Sequence, residues 1–111
     1  MRNLIVTALA ACALAALAAT AVAAKSVKVG DNYYVRSSGV PKVTVSKGTT
    51  VRWRFAGSSL HNVTVSRGPV KFRSTTRSSG SFSKKMRRRG TYSIYCTVHG
   101  ASDQRMKLVV K

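Results

Sequence analysis

Tyr92–Val110 reads YSIYCTVHGASDQRMKLVV. Two runs of alternating character stand either side of a short polar loop. Tyr92, Ile94 and Cys96 fall on one face of the first run. Gln104, Met106, Leu108 and Val110 fall on one face of the second. A period of two is the signature of a half-buried β-strand, so the stretch predicts two strands joined by a loop. The first strand ends on a cysteine, and a histidine follows three residues later.

The same alternation recurs upstream. Val43 and Val45 alternate with Lys42, Thr44 and Ser46. Val51, Trp53 and Phe55 alternate with Thr50, Arg52 and Arg54, so the arginines point outward. His61, Val63 and Val65 share a face, which places His61 at the opening of a strand. Val27 and Val29 begin the domain, and Tyr33 and Val35 follow a turn at Gly30-Asp31-Asn32. Gly39-Val40-Pro41, Lys47-Gly48, Gly57-Ser58-Ser59, Arg67-Gly68-Pro69, Ser78-Ser79-Gly80 and Arg89-Gly90 punctuate the runs. Residues 66–80 are polar apart from Val70 and Phe72; they predict an irregular connection with room for a short helical turn. Short strands separated by regular turns predict an all-β Greek-key β-sandwich or barrel.

The chain has 111 residues, enough for one small domain. Residues 1–24 carry Arg2 and then an uncharged, alanine-rich stretch ending in small residues, the pattern of a secretory signal peptide. The stretch is also about long enough to serve as an uncleaved anchor. The expected domain is therefore 25–111, exported to a periplasmic or extracellular space. Removing residues 1–24 takes away one of 20 Lys and Arg residues, leaving 19 cations against Asp31 and Asp103, a net charge of +17. Such a charge bears on solubility and partners, not on fold.

Of two cysteines, Cys12 leaves with the leader and Cys96 stays, which excludes an internal disulfide. A lone thiol in an oxidising compartment is either a buried small apolar residue or a protected ligand. His61 and His99 are the only histidines. In a Greek-key sandwich the end of one strand, the loop after it and the start of another can converge. One thiolate and two imidazoles with a weak axial ligand form the type 1 copper set, whereas structural zinc takes four strong ligands. Coordination would also protect the thiol.

On these residues the chain resembles the plastocyanin-like cupredoxins. VPKVTVSKGTTVRWRFAGSSLHNVTV (Val40–Val65) is similar to the strand that leads to a tryptophan strand and then to the first histidine. GSFSKKMRRRGTYSIYCTVHG (Gly80–Gly100) is similar to the strand pair that delivers Y-x-C-x-x-H. VKVGDNYY (Val27–Tyr34) resembles the first strand and turn. The resemblance covers nearly all of residues 26–110. It implies His61, Cys96 and His99 as ligands of one mononuclear copper. It implies that Asn62 steadies the ligand loop near the Cys96 sulfur, and that His99 is the exposed route for electrons. Position in the sequence adds Leu60, Gly100 and Ala101 as a small uncharged patch around His99.

The chain departs from the family at the axial position, which usually holds a methionine. Gln104 falls there if the last strand is aligned without a gap, and Met106 is then core. With a longer loop, Met106 reaches the metal instead. Glutamine is a known axial ligand of such sites, which favours Gln104 and keeps Met106 as the alternative.

The expected function is a one-electron carrier, not an enzyme: no nucleophile–base pair or second metal set is visible. The alternatives are a copper carrier or storage domain, and a cationic surface-binding sandwich with a structural Cys96. The run Lys84, Lys85, Arg87, Arg88 and Arg89, with Arg52, Arg54, Arg73 and Arg77, would steer an acidic redox protein or bind an anionic envelope surface. Nucleic acid is a poor candidate, because Trp53 and Phe55 alternate inward and leave no stacking platform. A monomer is expected.

Overall fold

The computed structural model describes residues 24–36 and 39–111. The expected leader lies outside these residues except for Ala24. Eight strands form: β1 (Ala24–Gly30), β2 (Tyr33–Tyr34), β3 (Lys42–Val45), β4 (Thr50–Phe55), β5 (Thr64–Arg67), β6 (Ser81–Lys85), β7 (Gly90–Tyr95) and β8 (Arg105–Val110). They make two four-stranded sheets, ordered β2-β1-β4-β6 and β3-β8-β7-β5. The pairs β1–β4 and β3–β8 are parallel; the other pairs are antiparallel. The all-β sandwich expected from the alternation is the observed fold.

Alternation decides what lies between the sheets. β4 buries Val51, Trp53 and Phe55 and exposes Arg52 and Arg54. β7 buries Tyr92 and Ile94, and β8 buries Met106, Leu108 and Val110. The Trp53 ring packs on Phe72 and Phe82 at centroid distances of 6.1 and 5.9 Å. Its Nε1–H, which would be orphaned in an apolar core, points at Met106 Sδ at 3.4 Å. Met106 is thus tied to the core tryptophan.

Two local readings change. The connection after β5 contains no helical turn among the described residues. It makes two isolated bridges instead, His61 with Arg77 and Thr64 with Arg73, and Phe72 folds back onto the core. His61 sits on the first bridge, ahead of β5 rather than within it. In the Gly30–Val35 hairpin, the fully buried residue is Tyr34, not Val35. Val35 takes a left-handed φ of 65° and is partly exposed. That conformation ends β2 after two residues.

Candidate metal centre

His61, Cys96, His99 and Gln104 come from two loops at one end of the sandwich. Cys96 follows β7 directly, and Gln104 immediately precedes β8. The loop between them closes on itself: Gly100 N–H donates to Cys96 O at 2.9 Å, Gln104 N–H to Gly100 O at 3.1 Å, and Cys96 N–H to Gln104 O at 3.1 Å. Gly100 has φ +85°, a left-handed turn that favours glycine. The fold holds His61 from the other side, by reciprocal backbone bonds with Arg77 of 3.0 and 2.9 Å.

The ligand atoms of His61, Cys96 and His99 lie within 4.8 Å of one another. Cys96 Sγ is 3.7 Å from His99 Nδ1, and the two imidazole rings are 4.8 Å apart by centroid. His61, Cys96 and Gln104 are fully buried, while His99 is only partly buried. Apolar side chains flank both histidines in sequence: Leu60 beside His61 and Val98 beside His99, each about half exposed at 53% and 50%. Val98 was not singled out in the sequence, because a lone valine in a loop has no periodicity to mark it.

Gln104 faces this cluster in one defined orientation. Its Nε2 donates to Gly30 O at 3.0 Å and to Tyr33 O at 2.8 Å. Both amide hydrogens are then used, so Oε1 is turned to His61 Nδ1 at 2.9 Å. Met106, two residues on, has its sulfur on Trp53 instead.

Asn62 joins the two loops. Its Oδ1 accepts from Thr97 N–H at 3.1 Å, beside Cys96, and from Thr64 Oγ1 at 2.9 Å. Its Nδ2 donates to Thr97 Oγ1 and Thr76 Oγ1. Its backbone carbonyl takes the Tyr34 hydroxyl at 2.6 Å. Burial, then the nearby Cys96, raises Tyr34 well above the usual tyrosine range.

The sequence assigned Asp31 no place at the site. Asp31 is remote from His61 in sequence, yet its Oδ1 lies 2.9 Å from His61 Nε2. The Asp31 carboxylate also accepts Ser58 N–H and Ser59 N–H at 3.0 Å. Those two bonds, Ser59 first, and then His61 hold Asp31 well below the ordinary carboxylate range. The signal available in the sequence was scarcity: a domain with 19 cations keeps only two acids.

These contacts test whether a metal belongs here. His61 lies between two acceptors, Gln104 Oε1 on Nδ1 and Asp31 Oδ1 on Nε2. Either neutral tautomer leaves a lone pair facing another lone pair. A cation at Nδ1, proton or metal, resolves the conflict. With Nε2–H given to Asp31, the Nδ1 lone pair, the Cys96 sulfur, a His99 nitrogen and an amide oxygen converge, a donor set that fits copper.

No protein-family profile matches the sequence, and no curated protein matches it. Solved structures do. A methionine-to-glutamine variant of amicyanin in its Cu(I) form is 27% identical, covers 79% of this chain and 82% of its own, and superposes with a TM-score of 0.66. An oxidized proline-to-glycine variant of amicyanin is 26% identical over 83% of this chain and 86% of its own, with a TM-score of 0.62. A Cu-containing nitrite reductase from Thermus scotoductus SA-01 is 16% identical and aligns over 78% of this chain but 22% of its own, with a TM-score of 0.64; that likeness is one of fold. Sandwich, thiolate–imidazole cluster and neighbours agree: the fold is that of the cupredoxins, and His61, Cys96 and His99 fit a type 1 (blue) copper site.

Proposed function

We propose that this protein is a one-electron carrier, not an enzyme, in which His61, Cys96 and His99 hold a single copper and Gln104 is the weak axial ligand. The convergence of one buried thiol and two imidazoles within 4.8 Å carries this reading. Amicyanin structures exist in both Cu(I) and oxidized forms with the same likeness to this chain, which supports a copper that changes oxidation state without refolding its protein. Bound copper would supply the one-electron couple. The chain supplies rigidity: the Cys96–Gln104 loop bonds and Asn62 hold the donors in place, so little reorganisation accompanies a change of charge.

His99 is the one partly exposed member of the set and the exit for electrons, with Leu60 and Val98 as apolar contact surface beside it. The cationic faces of the sandwich suit an acidic redox protein, recruited by long-range attraction and docked on that apolar rim. Cleavage of an export leader at residues 1–24 would remove Cys12 and leave Cys96 with no cysteine to pair with, and coordination to copper would then protect its thiol.

Adding Cu(II) to residues 25–111 should produce an intense thiolate-to-copper absorption near the orange region. Cys96→Ser should abolish it while leaving the fold intact by circular dichroism. A wild-type protein that binds Cu(II) but stays colourless would overturn the reading. Electron self-exchange should be rapid once high salt screens the repulsion between like-charged copies; slow exchange even then would instead favour a copper carrier or store.

A further inference from the structure

We propose that Asp31 is a positioning residue for copper: its carboxylate fixes the His61 ring and sets the reduction potential from outside the ligand shell. The inference rests on the proposed copper site and assigns it a determinant that lies on a different element. The β1–β2 turn delivers it. Gly30 O and Tyr33 O hold the Gln104 amide, and Asp31 between them reaches His61 Nε2 at 2.9 Å. One four-residue turn therefore orients both an imidazole and the axial amide. Close packing enforces this. A Cβ at Gly57 would run into the Asp31 carboxylate, so only glycine lets the loop carrying Ser58 and Ser59 close on it.

Two consequences follow. A carboxylate on Nε2–H selects the tautomer whose Nδ1 lone pair faces the metal, and raises the basicity of that nitrogen. It also balances charge. A thiolate with Cu(II) carries one net positive charge, and with Cu(I) none. The net charge of +17 disfavours the oxidised form, and Asp31 is the acid in contact with a ligand to offset it. The nearby anion therefore stabilises Cu(II) and lowers the potential.

The test loads wild type, Asp31→Asn and Asp31→Ala with Cu(II) and measures the potential by voltammetry. Asparagine keeps an acceptor for Ser58, Ser59 and His61 but removes the charge, so Asp31→Asn should stay blue. Its Cu(II)/Cu(I) ratio at fixed poise should fall about tenfold, which is about 59 mV upward for a one-electron couple. Asp31→Ala loses orientation as well. In its diamagnetic Cu(I) form the His61 Nε2 proton should exchange rapidly with solvent by NMR, against slow exchange in wild type and Asp31→Asn. If Asp31 only caps the 57–59 turn, Asp31→Ala lowers the melting temperature while the Asp31→Asn potential stays at the wild-type value, and the inference is overturned alone. A colourless wild type overturns it together with the copper reading.

Discussion

Gln104 and Met106 share strand parity, so alternation cannot say which of them meets the metal. Their partners differ sharply. Gln104 spends both amide hydrogens on the β1–β2 turn and turns its oxygen to His61, whereas the Met106 sulfur receives the Trp53 indole. The two substitutions should therefore separate into different observables. Gln104→Ala should move the visible spectrum and raise the potential, because a weak oxygen donor is lost from the copper. Met106→Ala should leave the colour unchanged and cost about 2–5 kcal/mol of stability, the range for emptying a buried large side chain. Trp53 Nε1–H would be left without its partner. A spectrum that shifts only in Met106→Ala would reverse the axial assignment.

The β1–β2 hairpin shows where local sequence stops being legible. β3, β4, β7 and β8 could be read because each repeats its alternating pattern over four or more residues. β7 and β8 were visible from Tyr92 to Val110, and the Cys96–His99 pair with them. His61 was legible as a candidate because only two histidines exist. A two-residue strand carries no periodicity, so Tyr34 was missed. Asp31 was read as part of a turn and as one of two acids, not as a neighbour of His61, because contact across 30 residues is a property of the parallel β1–β4 pairing. The helical turn considered for residues 66–80 gave way to bridges with β5 and His61, a tertiary preference that polar composition does not encode. Tyr34 itself makes a measurable prediction. Its buried hydroxyl donates to Asn62 O, and its folded pKa is raised above the ordinary value near 10. The unfolded chain ionises first, so this contribution to stability is complete below about pH 10 and is lost as pH rises beyond it. In the metal-free protein, Tyr34→Phe should cost about 1 kcal/mol at neutral pH and show a shallower loss of stability above pH 10. Equal slopes would mean that the hydroxyl ionises in place.

At the scale of the whole molecule, charge opposes folding and, on the proposed function, would promote encounter with an acidic partner. With 19 cations and two acids on residues 25–111, and one of those acids held by His61, Ser58 and Ser59, attractive pairs cannot balance repulsion. The outer face of β4 alone carries Arg52 and Arg54, and Lys28 of β1 lies in register with Arg54. Compacting that many like charges costs stability in dilute salt, and screening relieves the cost as the Debye length falls from about 30 Å at 0.01 M to about 3 Å at 1 M. The melting temperature of the metal-free domain should therefore rise with sodium chloride over this range. The rate of electron transfer to an acidic partner should fall over the same range, because the long-range attraction that raises the encounter rate is screened away. The two responses have opposite signs and one cause. A rate that ignores salt while the melting temperature rises would leave the cationic faces without a role in partner encounter, and docking would then rest on the apolar rim of Leu60 and Val98 around His99.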